Sequence, residues 1–152
     1  MNYDSHNAKT TKMHRADGDC TVTIKEKAPK DNMTAPFTES SIYEYLAKLG
    51  FRTNFTGTMY LSRIISMICS GELTFPFAVT KDIYPVCAKI YGTTASAVEK
   101  CIRHAIEINI SETESDCLFG GYPKLGTRCP SNKEVICYLA NHMKILYNNT
   151  NP

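Results

Sequence analysis

The sequence has no apolar run near the length of about 18 residues that a membrane-spanning helix needs. Its longest compact apolar stretch is Ile64 to Cys69. It has no Cys-x-x-Cys pair, so zinc-ribbon and thioredoxin-like chemistry lack their usual signature. The seven cysteines, at 20, 69, 87, 101, 117, 129 and 137, are odd in number and irregularly spaced, as in a reducing compartment. No charge dominates: 17 Lys plus Arg stand against 15 Asp plus Glu, a net +2. That is too little to hold nucleic acid or an anionic membrane by bulk attraction. The N-terminus, Met-Asn-Tyr-Asp-Ser-His, lacks the basic start and apolar stretch of a secretory signal. No phosphate-binding glycine loop occurs, because Gly120-Gly121 runs into Tyr122-Pro123. The sequons at Asn32, Asn54 and Asn109 carry no weight in a cytoplasmic chain. What is present is 152 residues, 43% hydrophobic, enough for one core without disulfides or metals. A cytoplasmic protein with no membrane partner and no cofactor is expected.

Two regions differ in kind. In residues 1–38, Lys9, Lys12, Arg15, Lys25, Lys27 and Lys30 nearly balance Asp4, Asp17, Asp19, Glu26 and Asp31, and apolar residues are sparse. This reads as a mostly disordered tail, broken only by a possible short strand over residues 20–24. Residues 39–148 carry the helical period. Ile42, Tyr45, Leu46 and Leu49 form one apolar face, stopped at Gly50; Tyr60, Leu61, Ile64, Ile65 and Ile68 form a second, closed by Gly71. Ile83, Val86, Cys87 and Ile90 form a third, with Thr80 as its N-cap and Gly92 as its end. Val98, Cys101, Ile102, Ala105 and Ile106 form a fourth. A last helix carries Val135, Ile136, Leu139, Ala140, Met143 and Leu146, opened by Ser131 with Glu134 at capping-box spacing. A further short helix over 112–118 brings the expectation to an all-α domain of about six helices. No alternating strand pattern of useful length follows Glu39.

The third and fourth helices are joined by only Gly92-Thr93-Thr94, the connection of a helix-turn-helix. Ala88, four residues before the turn glycine, is small enough for a close crossing, and Val98, six after it, is a branched apolar wedge. With Val98, Ile102, Ala105 and Ile106 turned inward, Ser96, Glu99, Lys100 and Arg103 project outward. Such a face suits a major groove: Lys100 can donate to guanine, Glu99 can accept from cytosine, and Arg103 can reach a base edge or phosphate. The same face would also serve as a solvated helix, with Glu99–Arg103 as an ordinary i,i+4 pair. Between Gly120 and Lys144, Lys124, Arg128, Lys133 and Lys144 meet only Glu134, a patch suited to phosphates or to a solvated loop.

The run Tyr84-Pro85 through Ala88-Lys89, Tyr91-Gly92 and on to Glu107 resembles the DNA-binding effector domain of the stage zero sporulation factor family. Its signature here is Thr93-Thr94-Ala95-Ser96, Val98-Glu99, and Ile102-Arg103-His104-Ala105-Ile106-Glu107. Further matches are Tyr60-Leu61, Ile65-Ser66-Met67, Leu118-Phe119-Gly120, Pro130 and Asn132, so the likeness spans about residues 40 to 146. The resemblance implies a sequence-specific transcriptional regulator of sporulation that lays the helix over 95–110 in the major groove of double-stranded DNA. It implies base reading by Glu99, Lys100 and Arg103, backbone contacts from Thr94 and Ser96, pairing as dimers on half-sites, and a contact near Phe119 with the sigma subunit of RNA polymerase. From the residues alone, Leu118 and Phe119 serve equally as a core plug beneath a glycine turn. The family usually has arginine where this chain has Ala97 and Lys100. Loss of a guanidinium at 97 removes a bidentate contact worth ~1–3 kcal/mol of base discrimination. Only residues 1–38 precede the match, too few for the family's receiver domain, so phosphorelay control within this chain is not expected.

An enzyme needs converging groups, and Cys101 with His104, i,i+3 on one helix, lacks a third partner at telling spacing. No enzymatic activity is expected. The rival to DNA reading is a receiver-free interaction module or antagonist that binds a protein partner.

Overall fold

The computed structural model describes residues 37–150 apart from 74, 75, 125 and 127. The expected tail, its 20–24 strand and the basic residues Lys9, Lys12 and Arg15 lie outside the described residues. Five α-helices follow in order: α1 (Glu39–Lys48), α2 (Thr56–Cys69), α3 (Tyr84–Tyr91), α4 (Ala95–Glu112) and α5 (Asn132–Thr150). A π-turn, Val79–Ile83, leads into α3, and a small antiparallel hairpin of β1 (Cys117–Leu118) and β2 (Tyr122–Pro123) sits between α4 and α5. The fold is all-α, with five helices where the periodicity gave about six.

The centre of the core is α2, which packs against α1, α4 and α5. Leu61, Ile64, Ile65, Met67 and Ile68 are all buried, and so are Thr58, Ser62 and Ser66. A helix covered on this many sides must satisfy its hydroxyls internally. Thr58 Oγ1 donates to Arg52 O at 2.8 Å, Ser62 Oγ to Met59 O at 2.8 Å, and Ser66 Oγ to Phe37 O at 2.6 Å. The last bond pins the chain just before α1 onto the core. Cys87 of α3 is fully buried, and burial pushes its thiol up to about 12, so it acts as a small apolar side chain.

The stop signals read from the sequence hold. Gly50, Gly71 and Gly92 all take positive φ just past helix ends. Ser131 and Glu134 form a reciprocal capping box: Ser131 N–H donates to Glu134 Oε2 at 2.7 Å, and Glu134 N–H to Ser131 Oγ at 3.3 Å. Three expectations are corrected. Thr80 lies inside the π-turn and caps nothing; Asp82 Oδ2 accepts the Ala78 N–H at 2.6 Å instead. Val86 is 41% exposed, because the side of α3 that packs inward carries Tyr84, Cys87 and Ala88 and Val86 lies outside it. The segment 112–118 is not a helix. α4 runs on to Glu112, and the chain then reverses through Phe119 and Gly120, both at positive φ, into the hairpin.

Candidate nucleic-acid interface

The helix-turn-helix is built from short-range signals. Pro85 sits in the first turn of α3, where its missing N–H costs nothing. At the other end Gly92 adopts φ 62°, ψ 43°, and the N–H groups of Gly92 and Thr93 both reach the Ala88 carbonyl. Thr94 then takes an extended conformation, and its Oγ1 accepts the Ala97 N–H at 3.1 Å, opening α4. Ala88 and Val98 are both buried at the crossing, as their spacing predicted.

Behind α4 lies a contact that periodicity did not reveal. A Cβ on Gly57, near the start of α2, would fall 2.0 Å from the Cys101 carbonyl oxygen and 3.0 Å from the Ala105 Cβ. The two helix backbones therefore touch, and only glycine fits between them. At its far end α4 is tied to the C-cap of α1 by Asn109 Nδ2, which donates to Leu49 O at 3.1 Å, and to the loop after α1 by the Arg52–Glu112 ion pair.

Outward from this seat, Thr94, Ser96, Glu99, Lys100, His104 and Glu107 are all exposed on one continuous side of α4. His104 leans on the Phe55 ring, centroids 5.2 Å apart. A shallow groove of about 1010 Å³ runs alongside, between the π-turn, α4 and the start of α5. Lys81, Lys100 and Lys133 line it, and among the described residues none of the three is in an ion pair. Arg128 also lines it, paired with Glu134 at 2.9 Å. The basic stretch between 120 and 144 is thus divided. Arg128 and Lys133 reach the groove, whereas Lys124 Nζ donates to Thr113 O at 3.1 Å beside the hairpin.

Arg103 is placed differently from its neighbours. It is half-buried, with Nε donating to Glu107 Oε1 at 2.9 Å and Nη1 to Pro130 O at 2.6 Å and Asn132 Oδ1 at 3.4 Å. The sequence offered Glu99 as its i,i+4 partner; the structure pairs it with Glu107 instead. Asn132, 8% exposed, completes the junction by donating from Nδ2 to Tyr84 Oη at 3.0 Å and to Glu99 O at 3.1 Å. Nothing in the helical period marks this side chain; the hints were its place next to the Ser131 cap and its match to the family resembled.

Phe119 is the core plug. It is 2% exposed, stacks on Phe51 with centroids 5.6 Å apart, and leaves its ring no surface to offer a partner. Among the described residues no three His, Cys, Asp or Glu side chains come together as a metal site, and Cys101 and His104 gain no third partner. No helix there is long and apolar enough to cross a membrane.

The fold, the tight glycine turn and the exposed polar face of α4 are those of a DNA-binding helical domain, and the comparison with known families agrees. Residues 42–143, more than half of the chain, match the family described as Sporulation initiation factor Spo0A C terminal, and the chain belongs to that family of DNA-binding regulators of sporulation transcription.

Proposed function

We propose that this domain reads promoter DNA sequence-specifically by laying the first turns of α4 in the major groove. What carries the reading is the pairing of a rigidly seated helix with an exposed polar face of mixed charge, whose lysines stand outside ion pairs among the described residues. α4 is capped at Thr94, backed by Gly57, and presents Lys100, which has no ion pair among the described residues, on the same groove as Lys81 and Lys133. Lys100 and Glu99 then address base edges, and Thr94 and Ser96, at the start of the helix, address the backbone. Arg103 contributes through Nη2, the guanidinium nitrogen that its bonds to Glu107, Pro130 and Asn132 leave over. With Ala97 short and Lys100 lacking the planar fork of arginine, the preferred sequence differs from that of relatives with arginine at both places.

The working unit is residues 39–148, with 1–38 as an appended tail. Two copies would occupy neighbouring half-sites, in the manner general to helix-turn-helix domains. A contact with the polymerase sigma subunit near Phe119 would fall on the exposed neighbours Asp116, Cys117 and Gly120, since the ring itself is buried. Work on promoter DNA carries a cytoplasmic location with it. Selection from a randomised duplex library tests the proposal: repeated rounds should enrich one motif. A pool that stays random through every round contradicts sequence-specific reading and favours a protein-interaction role.

A further inference from the structure

We infer that Asn132 is a positioning residue for base recognition: its amide sets where the reading face of α4 sits. The inference rests on the reading of α4 as the recognition helix. Asn132 is the first residue of α5, yet both of its donated bonds go elsewhere, to the first residue of α3 and to the α4 backbone. Nδ2 donates to Tyr84 Oη at 3.0 Å and to Glu99 O at 3.1 Å, while Oδ1 accepts from Arg103 Nη1 at 3.4 Å. A side-chain amide has two donors and one acceptor oxygen, and here all are engaged. The Glu99 carbonyl is inside α4, so the Asn132 bond uses its second lone pair.

The positions it holds matter. Glu99 and Arg103 are one turn apart, so a bond to the Glu99 carbonyl and another to the Arg103 guanidinium fix both the rotation and the height of that turn. At this junction Tyr84 and Asn132 are buried, 2% and 8% exposed, beneath the half-buried Arg103 on the wall of the groove. Base edges are read through hydrogen bonds whose strength falls steeply with misalignment, whereas phosphate attraction tolerates a displaced helix. Asn132 should therefore act on discrimination and not on general affinity.

Asn132→Asp separates these effects. Aspartate keeps the size, suits the first turn of a helix, and still accepts from Arg103, but it cannot donate to Tyr84 Oη or Glu99 O. Its added charge is matched by Ser131→Asp, one residue away in the same groove, where aspartate also serves as an N-cap. Binding of the full chain to the library-selected duplex and to a scrambled duplex is measured by fluorescence anisotropy for wild type and both variants, with thermal melts alongside. Both variants should bind the scrambled duplex equally, slightly below wild type. The ratio of selected to scrambled affinity should fall about tenfold in Asn132→Asp and stay at the wild-type value in Ser131→Asp. A ratio unchanged in Asn132→Asp, from a wild type that discriminates, overturns the positioning role and leaves the recognition helix standing. A wild type without discrimination overturns both. If Asn132→Asp does not fold, Asn132→Ala, which removes the bonds to Glu99 O and Arg103 without adding charge, takes its place against wild type, and an unchanged ratio there overturns the inference equally.

Discussion

At Gly57 a single absent methyl group determines how closely α2 and α4 approach. Alanine at 57 would ordinarily favour a helix, by about 0.5–1 kcal/mol over glycine. Here its Cβ meets the Cys101 carbonyl oxygen at 2.0 Å, and backbone cannot give way as a side-chain tip can. Overpacking should win, so Gly57→Ala should destabilise the domain by ~1–3 kcal/mol in urea denaturation. Unchanged or increased stability would show that the helices part at little cost. This position was illegible in the sequence, because a glycine near a helix start looks like weak propensity and nothing else. Arg103 was half legible. Its outward phase was right, but its bonds to Pro130 and Asn132 depend on a segment 27 and 29 residues away, which no local period encodes. Phe119 illustrates the same limit: one residue before Gly120 it reads equally as exposed tip or plug, and only the Phe51 stack settles it.

Elements were read best where their ends carry chemistry. Gly92 and the Ser131–Glu134 box each satisfy terminal backbone groups by local bonds, so their sequence spacing is enough to place the end of α3 and the start of α5. The π-turn at Val79–Ile83 has no comparable spacing rule, which is why Thr80 was misread as a cap. The hairpin escaped because its strands are two residues each, too short for alternation to show. The α5 box has a pH signature. The Ser131 N–H, then the Ser131 hydroxyl and Arg128, hold the Glu134 carboxyl below its ordinary value. A depressed folded pKa means that its stabilisation is present above the ordinary carboxylate range and is lost as pH falls through the lowered value. The melting-temperature difference between wild type and Glu134→Gln should therefore be positive at neutral pH and shrink towards zero as pH falls through the lowered value. A difference that does not vary with pH would remove the carboxylate from the cap.

At the scale of the whole molecule, the all-α core exists to hold one helix still. α2 supports α4 from behind, Asn109 and Arg52 tie its far end to the end of α1 and the loop that follows it, and Asn132 ties its near end to α3 and α5. Bulk charge says nothing of DNA at a net +2; the useful charge is local, at Lys81, Lys100 and Lys133 around one groove. A double charge reversal at Lys100 and Arg103 would confuse two effects, since Arg103 also fastens the α4–α5 junction. Lys100, exposed and outside every ion pair among the described residues, is the cleaner probe. The most direct measurement is anisotropy of the selected duplex across a salt series for wild type and Lys100→Glu. The account predicts wild-type affinity that falls steeply with rising salt, and a loss of tenfold or more in Lys100→Glu, roughly one lost base contact, with helical circular dichroism unchanged. Equal binding by the two proteins would contradict the placement of α4 in the groove.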